Sequence, residues 1–452
     1  MTEGGALESF DVDAYAAKYA GRNRVARLLF VAASSAELRA DAHRVLLREL
    51  RDGLDMKLYL DVVEAAKANS TQGEGEAVDM AHVESVKRNV AQQHERMERE
   101  LNSYKSTMIK ESIRMGHNDL GEFYYQLGDL PAALKSFAQA RDYCTTDKHI
   151  IEMCLNVSKV SLSRDGYLRH LLPLVTNVLC DVRVGLHMRN FAHVTNYLTK
   201  LEQVAITQTD SMYDAETGSR LWHTVSLKSK IASAFGLVAL HEKQYHQAAV
   251  KFIECQVDIG ATYNEVLHAE DIALYGGICA LASFSREELK EKVINNSSFK
   301  AFLELLPWLR ELITDFYSSN YAACLQALER VKTELRLDIY LCEHVDHLSK
   351  EIRSRGITQY FYPYLSVDLR QMAQTFSTEM PELEKEICGL IDAGRLEARM
   401  DSYQKILYAY HPNKRSATYK RALKVGRKYV AESRNLQLRM SLLKNNVVIR
   451  DN

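Results

Sequence analysis

Two stretches of the 452-residue chain decide its fold: LGEFYYQLGDLPAALKSFAQA at 120–140 and FGLVALHEKQYHQAAVKFIEC at 235–255. They align without a gap at an offset of 115, so that Gly121 falls on Gly236, Leu130 on Tyr245, Ala133 on Ala248 and Phe137 on Phe252. Small residues let two paired helices approach closely, and the aromatic fills the gap between hairpins. Any pair of antiparallel helices needs small residues where they cross. One copy is therefore weak, and two copies in register argue for stacked helical hairpins.

The pattern is the tetratricopeptide-like hairpin signature. Composition agrees with it. Glycine (20 residues) and proline (6 residues) are scarce, and a sandwich or barrel needs a turn every 8–12 residues or so. The 46 % hydrophobic content is that of a globular chain. The eight cysteines lie at 144, 154, 180, 255, 279, 324, 342 and 388 with no C-x-x-C. That excludes a zinc ribbon and fits a reducing compartment. The start, MTEGGALESFDVDAY, is acidic and has no apolar signal-peptide core. The apolar run Leu28–Ala33 is far too short to span a membrane. Net charge is −1, but residues 411–452 hold eleven Lys/Arg against Glu432 and Asp451, or +9. The remainder therefore carries −10.

Working outward, helical spacing of Tyr15, Tyr19, Leu28, Leu29, Leu46, Leu50, Leu54 and Leu58 predicts an N-terminal helical region over 1–68. NSTQGEGE at 69–76 opens a linker taken as 69–85. A polar helix with a thin stripe of Val86, Val90, Met97, Leu101, Tyr104 and Met108 begins the repeats of 86–285. Two further antiparallel helices are expected at Ser298–Tyr317 and Tyr321–Lys332, within a helical part running over 286–356. Beyond Gly356 the pattern changes. Leu365, Leu369, Met372, Ala373 and Phe376 predict one helix. Leu383, Ile387, Leu390 and Ile391 predict a second, with Pro381 at its start and Gly394 at its end. Alternation of Leu396, Ala398 and Met400, then of Ile406, Tyr408 and Tyr410, predicts a two-stranded wing. Residues 357–410 thus read as a winged helix. A basic C-terminal helix follows in 411–452, with an apolar stripe of Val425, Tyr429, Leu436, Met440, Leu443 and Val447.

A helical-repeat array running into a winged helix is the layout of the PCI family, shared by the proteasome lid, the signalosome and a translation initiation factor complex. Several blocks resemble the subunit-one family of the COP-nine signalosome: ARDYCTTDKHIIEMCLNV (140–157), the segment 273–329, QYFYPYLSVDLRQMAQTF (359–376) and YAGRNRVARLLFVA (19–32). The resemblance implies a mainly α chain: a right-handed, TPR-like solenoid, then a PCI domain over 286–410, then a C-terminal helix. One departure stands out. Roughly two dozen residues near SKVSLSRDGYLRHLLPLVTNVL (158–179) have no evident counterpart in that family, and no function is placed on them.

The signalosome removes the ubiquitin-like protein Nedd from cullins with a His-x-His metalloprotease site. This sequence contains neither His-x-His nor His-Glu-x-x-His, nor a phosphate loop or nucleophile elbow. The resemblance therefore implies a non-catalytic scaffold, with no catalytic residues, metal or cofactor expected. CEHVDH (342–347) is the one metal-like cluster and is expected to be a polar helix face. The rivals are the proteasome-lid paralogue and a nucleic-acid-binding winged helix. The second is opposed by the charge of residues 379–394, where Glu379, Glu382, Glu384, Glu386 and Asp392 face only Lys385; phosphates want Lys and Arg. The expected partners are other PCI and metalloprotease-fold subunits, cullin-RING ligases through the complex, no membrane and no nucleic acid. The expected contacts are Leu396, Ala398, Ile406 and Tyr408 at the wing edge. Val425, Tyr429, Leu436, Met440, Leu443 and Val447 are expected in a helical bundle. The expected location is nucleus and cytoplasm.

Overall fold

The computed structural model describes residues 10–69, 80–146, 149–161, 199, 218–256, 263–410 and 414–445. Backbone contacts divide the chain into two units, Met1–Arg355 and Gly356–Asn452.

Among the described residues the first unit is helices and turns. It begins with α1 (Val12–Ala17), α2 (Gly21–Ser34), α3 (Arg39–Asp52) and α4 (Met56–Asn69). Their apolar faces, among them Leu28, Val31, Leu46 and Val62, form one core that also takes in Val83 and Leu337. The next helix, α5, runs over Met80–Thr107. Residues 80–85 of the expected linker are therefore helical, and 70–79 lie outside the described residues. Of the expected stripe Leu101 is buried and Val86, Val90, Met97 and Tyr104 are half-buried, with Val83, earlier on the helix, buried as well. Met108 falls past the helix end in a left-handed turn and is exposed. Pairs such as Arg96–Glu100 and Arg99–Glu95 support the polar faces.

The repeat hairpins follow: α6 (Lys110–Leu127) with α7 (Leu130–Ala140), then, after a helix α8 at 149–161, α9 (Gly218–His241) with α10 (Tyr245–Ile253) and α11 (Ala269–Ser283). A Cβ at Gly121 would stand 2.7 Å from the Phe137 ring, and one at Gly236 2.7 Å from the Phe252 ring. The aromatic thus fills the space inside its own hairpin. Phe252 also reaches the next helix, lying 5.7 Å from Tyr275 and against Gly276. The two turns match as well. Gly128 and Lys243, again 115 apart, both have positive φ. The following amide of each closes a six-residue bond, Asp129 N to Tyr124 O and Gln244 N to Ala239 O.

A third hairpin repeats this turn. After α12 (Arg286–Glu288), a π-helical stretch at Leu289–Ile294 and α13 (Ser297–Leu303), helices α14 (Pro307–Tyr317) and α15 (Tyr321–Leu335) join at Ser319, which has φ 65°. Asn320 N bonds Asp315 O across the turn. Here Leu312 and Leu328 occupy the glycine and phenylalanine positions, so the signature is hidden although the geometry persists. The single helix expected over Ser298–Tyr317 is broken into α13 and α14. Pro307 has no amide to donate, and it starts α14 instead.

Several side chains tie the N-terminal helices to this array: Arg22 donates to the Tyr125 and Gln126 carbonyls, Asn23 to the Val266 carbonyl, and the guanidinium of Arg27 makes the most deeply buried of these joins. Arg27 of α2 is 1 % exposed. Its Nη1 donates to Asp338 (2.8 Å) and to the Tyr15 hydroxyl (3.0 Å). Its Nη2 donates to Asp271 of α11 (2.8 Å) and to the Tyr275 hydroxyl (3.2 Å). Burial, the largest single influence, would favour the neutral base, but Asp271 together with Tyr15, Tyr19 and Tyr275 outweighs it and holds the Arg27 pKa well up.

Helix α16 (Val345–Phe361) carries the chain across the division into the second unit. There β1 (Ser366–Asp368), α17 (Leu369–Thr375), α18 (Met380–Asp392), β2 (Ala398–Asp401) and β3 (Ile406–Ala409) form a winged helix. Helix α19 (Lys414–Lys444) follows. The sheet has three strands, not two, in the antiparallel order β1-β3-β2. Leu365 is not in the first helix; it is 70 % exposed and precedes β1. Asp368 ends the strand by capping α17 through Arg370 N.

Candidate interaction surfaces

The register assigns the sheet's faces. Val367, Leu407 and Met400 stand side by side across the three strands, and Ser366, Tyr408 and Arg399 do the same one residue away. The first row points inward: Leu407 is fully buried and Val367 nearly so. The core is completed by Leu369, Met372, Phe376, Leu383, Ile387 and Leu390 from the two helices. Leu396 and Ala398 belong to this core at 5 % and 6 % exposure, so they are not available to a partner as expected. Ile406 is half-buried and Tyr408 is exposed. Both lie on the central strand, whose backbone is paired on both sides, so they offer side chains and no free edge.

The free edges are β1 and β2. Beside Tyr408 on the outward face stands Arg399, its guanidinium 4.7 Å from the ring centroid of Tyr410, which is also exposed. Tyr403, at the turn between β2 and β3, and Tyr364, before β1, are exposed too. Arg399 and Tyr403 were not anticipated. The signal available was the alternation in KILYAY, where Leu407 points inward and Tyr408 outward, so the residue across from Tyr408 on β2, Arg399, shares its outward face. The second helix, α18, exposes Glu379, Glu382, Glu386 and Asp392 against Lys385, while Glu384 is tied to Lys405 at 2.6 Å. That surface repels a phosphate backbone.

Helix α19 has 31 residues with ten Lys/Arg and one acid, Glu432. Its expected stripe is on one side and open to solvent: Val425, Tyr429 (70 % exposed), Leu436, Met440 and Leu443 (77 %) have no covering element. Val447 lies outside the described residues. Roughly a quarter-turn away on a 3.6-residue helix, Tyr419, Ala422, Leu423, Gly426 and Val430 line a shallow trough rimmed by Arg427 and Arg434. A lone helix of this kind gains little from its own backbone and is stable when its apolar side is packed.

The metal-like cluster divides between interior and surface. Cys342 and His344 precede α16, and His344 is buried with Nδ1 3.3 Å from the Tyr245 hydroxyl. Burial pushes that hydroxyl up to about 12. His347 packs its ring against Tyr245 at 5.4 Å. His344 is packing between helices, while Glu343, Asp346 and His347 are exposed and form the polar face expected of the cluster. Among the described residues no group of three or more His, Cys, Asp or Glu side chains is arranged to hold a metal ion. No described helix is long and apolar enough to cross a membrane.

Stacked helical hairpins ending in a winged helix and a long tail helix define a PCI-domain protein. The PCI domain family matches residues 321–411, and the family of 26S proteasome subunit RPN7 matches 79–170 and 167–292. The two RPN7 pieces overlap at 167–170, inside the stretch at 158–179 expected to have no counterpart in the subunit-one family. The COP9 signalosome complex subunit 1 of Arabidopsis thaliana is 42 % identical over 97 % of this chain and 91 % of its own length. Subunit 1b of Drosophila melanogaster is 34 % identical over 98 % and 87 %. The 26S proteasome non-ATPase regulatory subunit 6 homolog of Arabidopsis thaliana is 25 % identical over 44 % and 51 %. The chain belongs to the COP9 signalosome complex subunit 1 family.

Proposed function

We propose that this protein is a non-catalytic scaffold subunit of the COP9 signalosome, the complex that removes the ubiquitin-like Nedd protein from cullins. The observation that carries the reading is full-length similarity to subunit 1 proteins at 42 % identity over 97 % of the chain. The surfaces fit assembly. Helix α19 leaves its apolar stripe uncovered. The winged helix offers two strand edges, suited to strand addition by a neighbour, and an outward Arg–Tyr face. In this reading α19 enters a helical bundle with other PCI and metalloprotease-fold subunits. The assembled complex engages cullin-RING ligases and acts in nucleus and cytoplasm.

Affinity purification of the full-length chain tests it. Recovery of a Nedd-specific metalloprotease subunit is the expected result; recovery of proteasomal ATPases instead would return the lid reading. Deleting 414–452 should abolish incorporation while leaving the rest of the chain folded, because the apolar side chains of α19 from Tyr419 to Leu443 are largely exposed. Normal incorporation of the truncated chain would sink the bundle role. The nucleic-acid reading requires salt-sensitive DNA binding by the purified protein, and the acidic exposed face of α18 argues against it.

A further inference from the structure

Arg27 does more than fill the core of one region. Its two carboxylate partners come from separate places in the array. Asp271 sits in the first turn of α11, and Asp338 sits in the 336–344 connection between α15 and α16. Each carboxylate is saturated with donors. Asp271 accepts from Arg27, from the Tyr19 hydroxyl (2.8 Å) and from His268 N (3.2 Å). Asp338 accepts from Arg27, from the Tyr275 hydroxyl (2.8 Å), and from Tyr340 N and Leu341 N. The Arg27 guanidinium also stacks on Tyr19 at 4.1 Å. Apolar contact accompanies this cluster: Ala26 and Phe30 of α2 meet Ile339, with Tyr340 and Cys342 beside them, and Leu337 joins the N-terminal core.

A buried charge cluster is a poor source of stability compared with apolar packing of the same volume, but it tolerates one geometry only. Removing Arg27 leaves two buried carboxylates with no cation between them, and removing either carboxylate leaves its buried donors without their acceptor. A planar guanidinium reaches two carboxylates at once, which an ammonium on a flexible stem does not. We infer that Arg27 is a two-point latch: Lys18, Arg22 and Asn23 also bond the array, but α1–α4 close fully on it while α11 and the 336–344 connection present Asp271 and Asp338 together. The N-terminal helices thereby respond to the position of the segment that opens α16. Displacing either carboxylate releases them as a block.

Hydrogen exchange on the full-length chain tests this. Arg27→Met should raise exchange across α1–α4 at least tenfold and expose the Tyr340 and Leu341 amides, while the α6–α7 hairpin keeps its protection. Asp271→Asn and Asp338→Asn each place an amide donor against existing donors, so each should loosen α1–α4 to a similar degree. Because the latch needs both points, the double variant should be no looser than either single one. Arg27→Lys should stay faster than wild type. Additive effects of the two Asn variants would overturn the proposal, as would wild-type exchange in α1–α4 of Arg27→Met. A rise spread evenly over the whole first unit would also overturn it. Should Arg27→Met fail to fold, native-state exchange of the wild type in rising guanidinium decides. The latch requires α1–α4 to open together before α9–α11, and simultaneous opening would refute it.

Discussion

The contact between Gly236 and Phe252 sets how closely two helices of a repeat can pack. Alanine at 236 gains about 1 kcal/mol of helix propensity over glycine. Its Cβ would sit 2.7 Å from a buried ring that has nowhere to move, and overpacking costs about 1–3 kcal/mol. Overpacking wins, so Gly236→Ala should lower stability by about 1 kcal/mol in chemical denaturation; an increase would mean the ring shifts freely. His117 gives a second prediction at this scale. It is 3 % exposed and stacked on Tyr143. Burial lowers its pKa below the ordinary 6.5, and Lys105 adds to the fall. The unfolded chain therefore takes up a proton at a pH where the folded chain does not. The stability due to neutral His117 is present above about pH 6.5 and is lost as pH falls toward its folded pKa. His117→Phe should flatten the loss of thermal stability between about pH 6.5 and 5; an unchanged slope would remove His117 as its source.

At the scale of elements, the repeat is conserved in its turns more than in its residues. Gly128, Lys243 and Ser319 all take positive φ and precede the same six-residue backbone bond. Only glycine adopts that conformation without cost, so Lys243, which is exposed, stores strain. Lys243→Gly should stabilise the α9–α10 hairpin by about 0.5–1 kcal/mol, read as a higher denaturant midpoint at unchanged slope. A lower midpoint would show that glycine's extra freedom in the unfolded chain outweighs the relieved strain. The sequence exposes the first two hairpins because glycine and phenylalanine mark both. It hides the third because Leu312 and Leu328 fill the same space with two medium side chains. The wing shows a different limit. Two overlapping alternations in KILYAY differ only by phase, and tyrosine tolerates either face because it has an apolar ring and a polar tip. Pairing with the three-residue β1, too short to register as a strand by pattern, chooses the phase.

At the scale of the whole molecule, the second unit has a core of its own strands and helices. Leu407 is fully buried at the centre of the winged helix, and Leu407→Ala should cost that unit about 2–5 kcal/mol. Both tryptophans, Trp222 and Trp308, lie in the first unit, so fluorescence reports that unit alone. Calorimetry of Leu407→Ala should show a lowered transition with the fluorescence midpoint unmoved. A fluorescence midpoint that falls with it would mean the units unfold as one. Periodicity and turn chemistry, which act over a few residues, were enough for the sequence alone to determine a mainly helical repeat chain, the winged helix, the acidic α18 and the basic α19. Tertiary structure alone decided what depends on partners distant in the chain. Leu396 and Ala398 became core because the sheet packs on α17 and α18; β3 became central because β1, some forty residues earlier, pairs with it. Arg27 became the join between regions because Asp271 and Asp338, 244 and 311 residues away, converge on it. No local pattern carries that information, since a buried ion pair is specified by where the backbone returns and not by its neighbours in sequence.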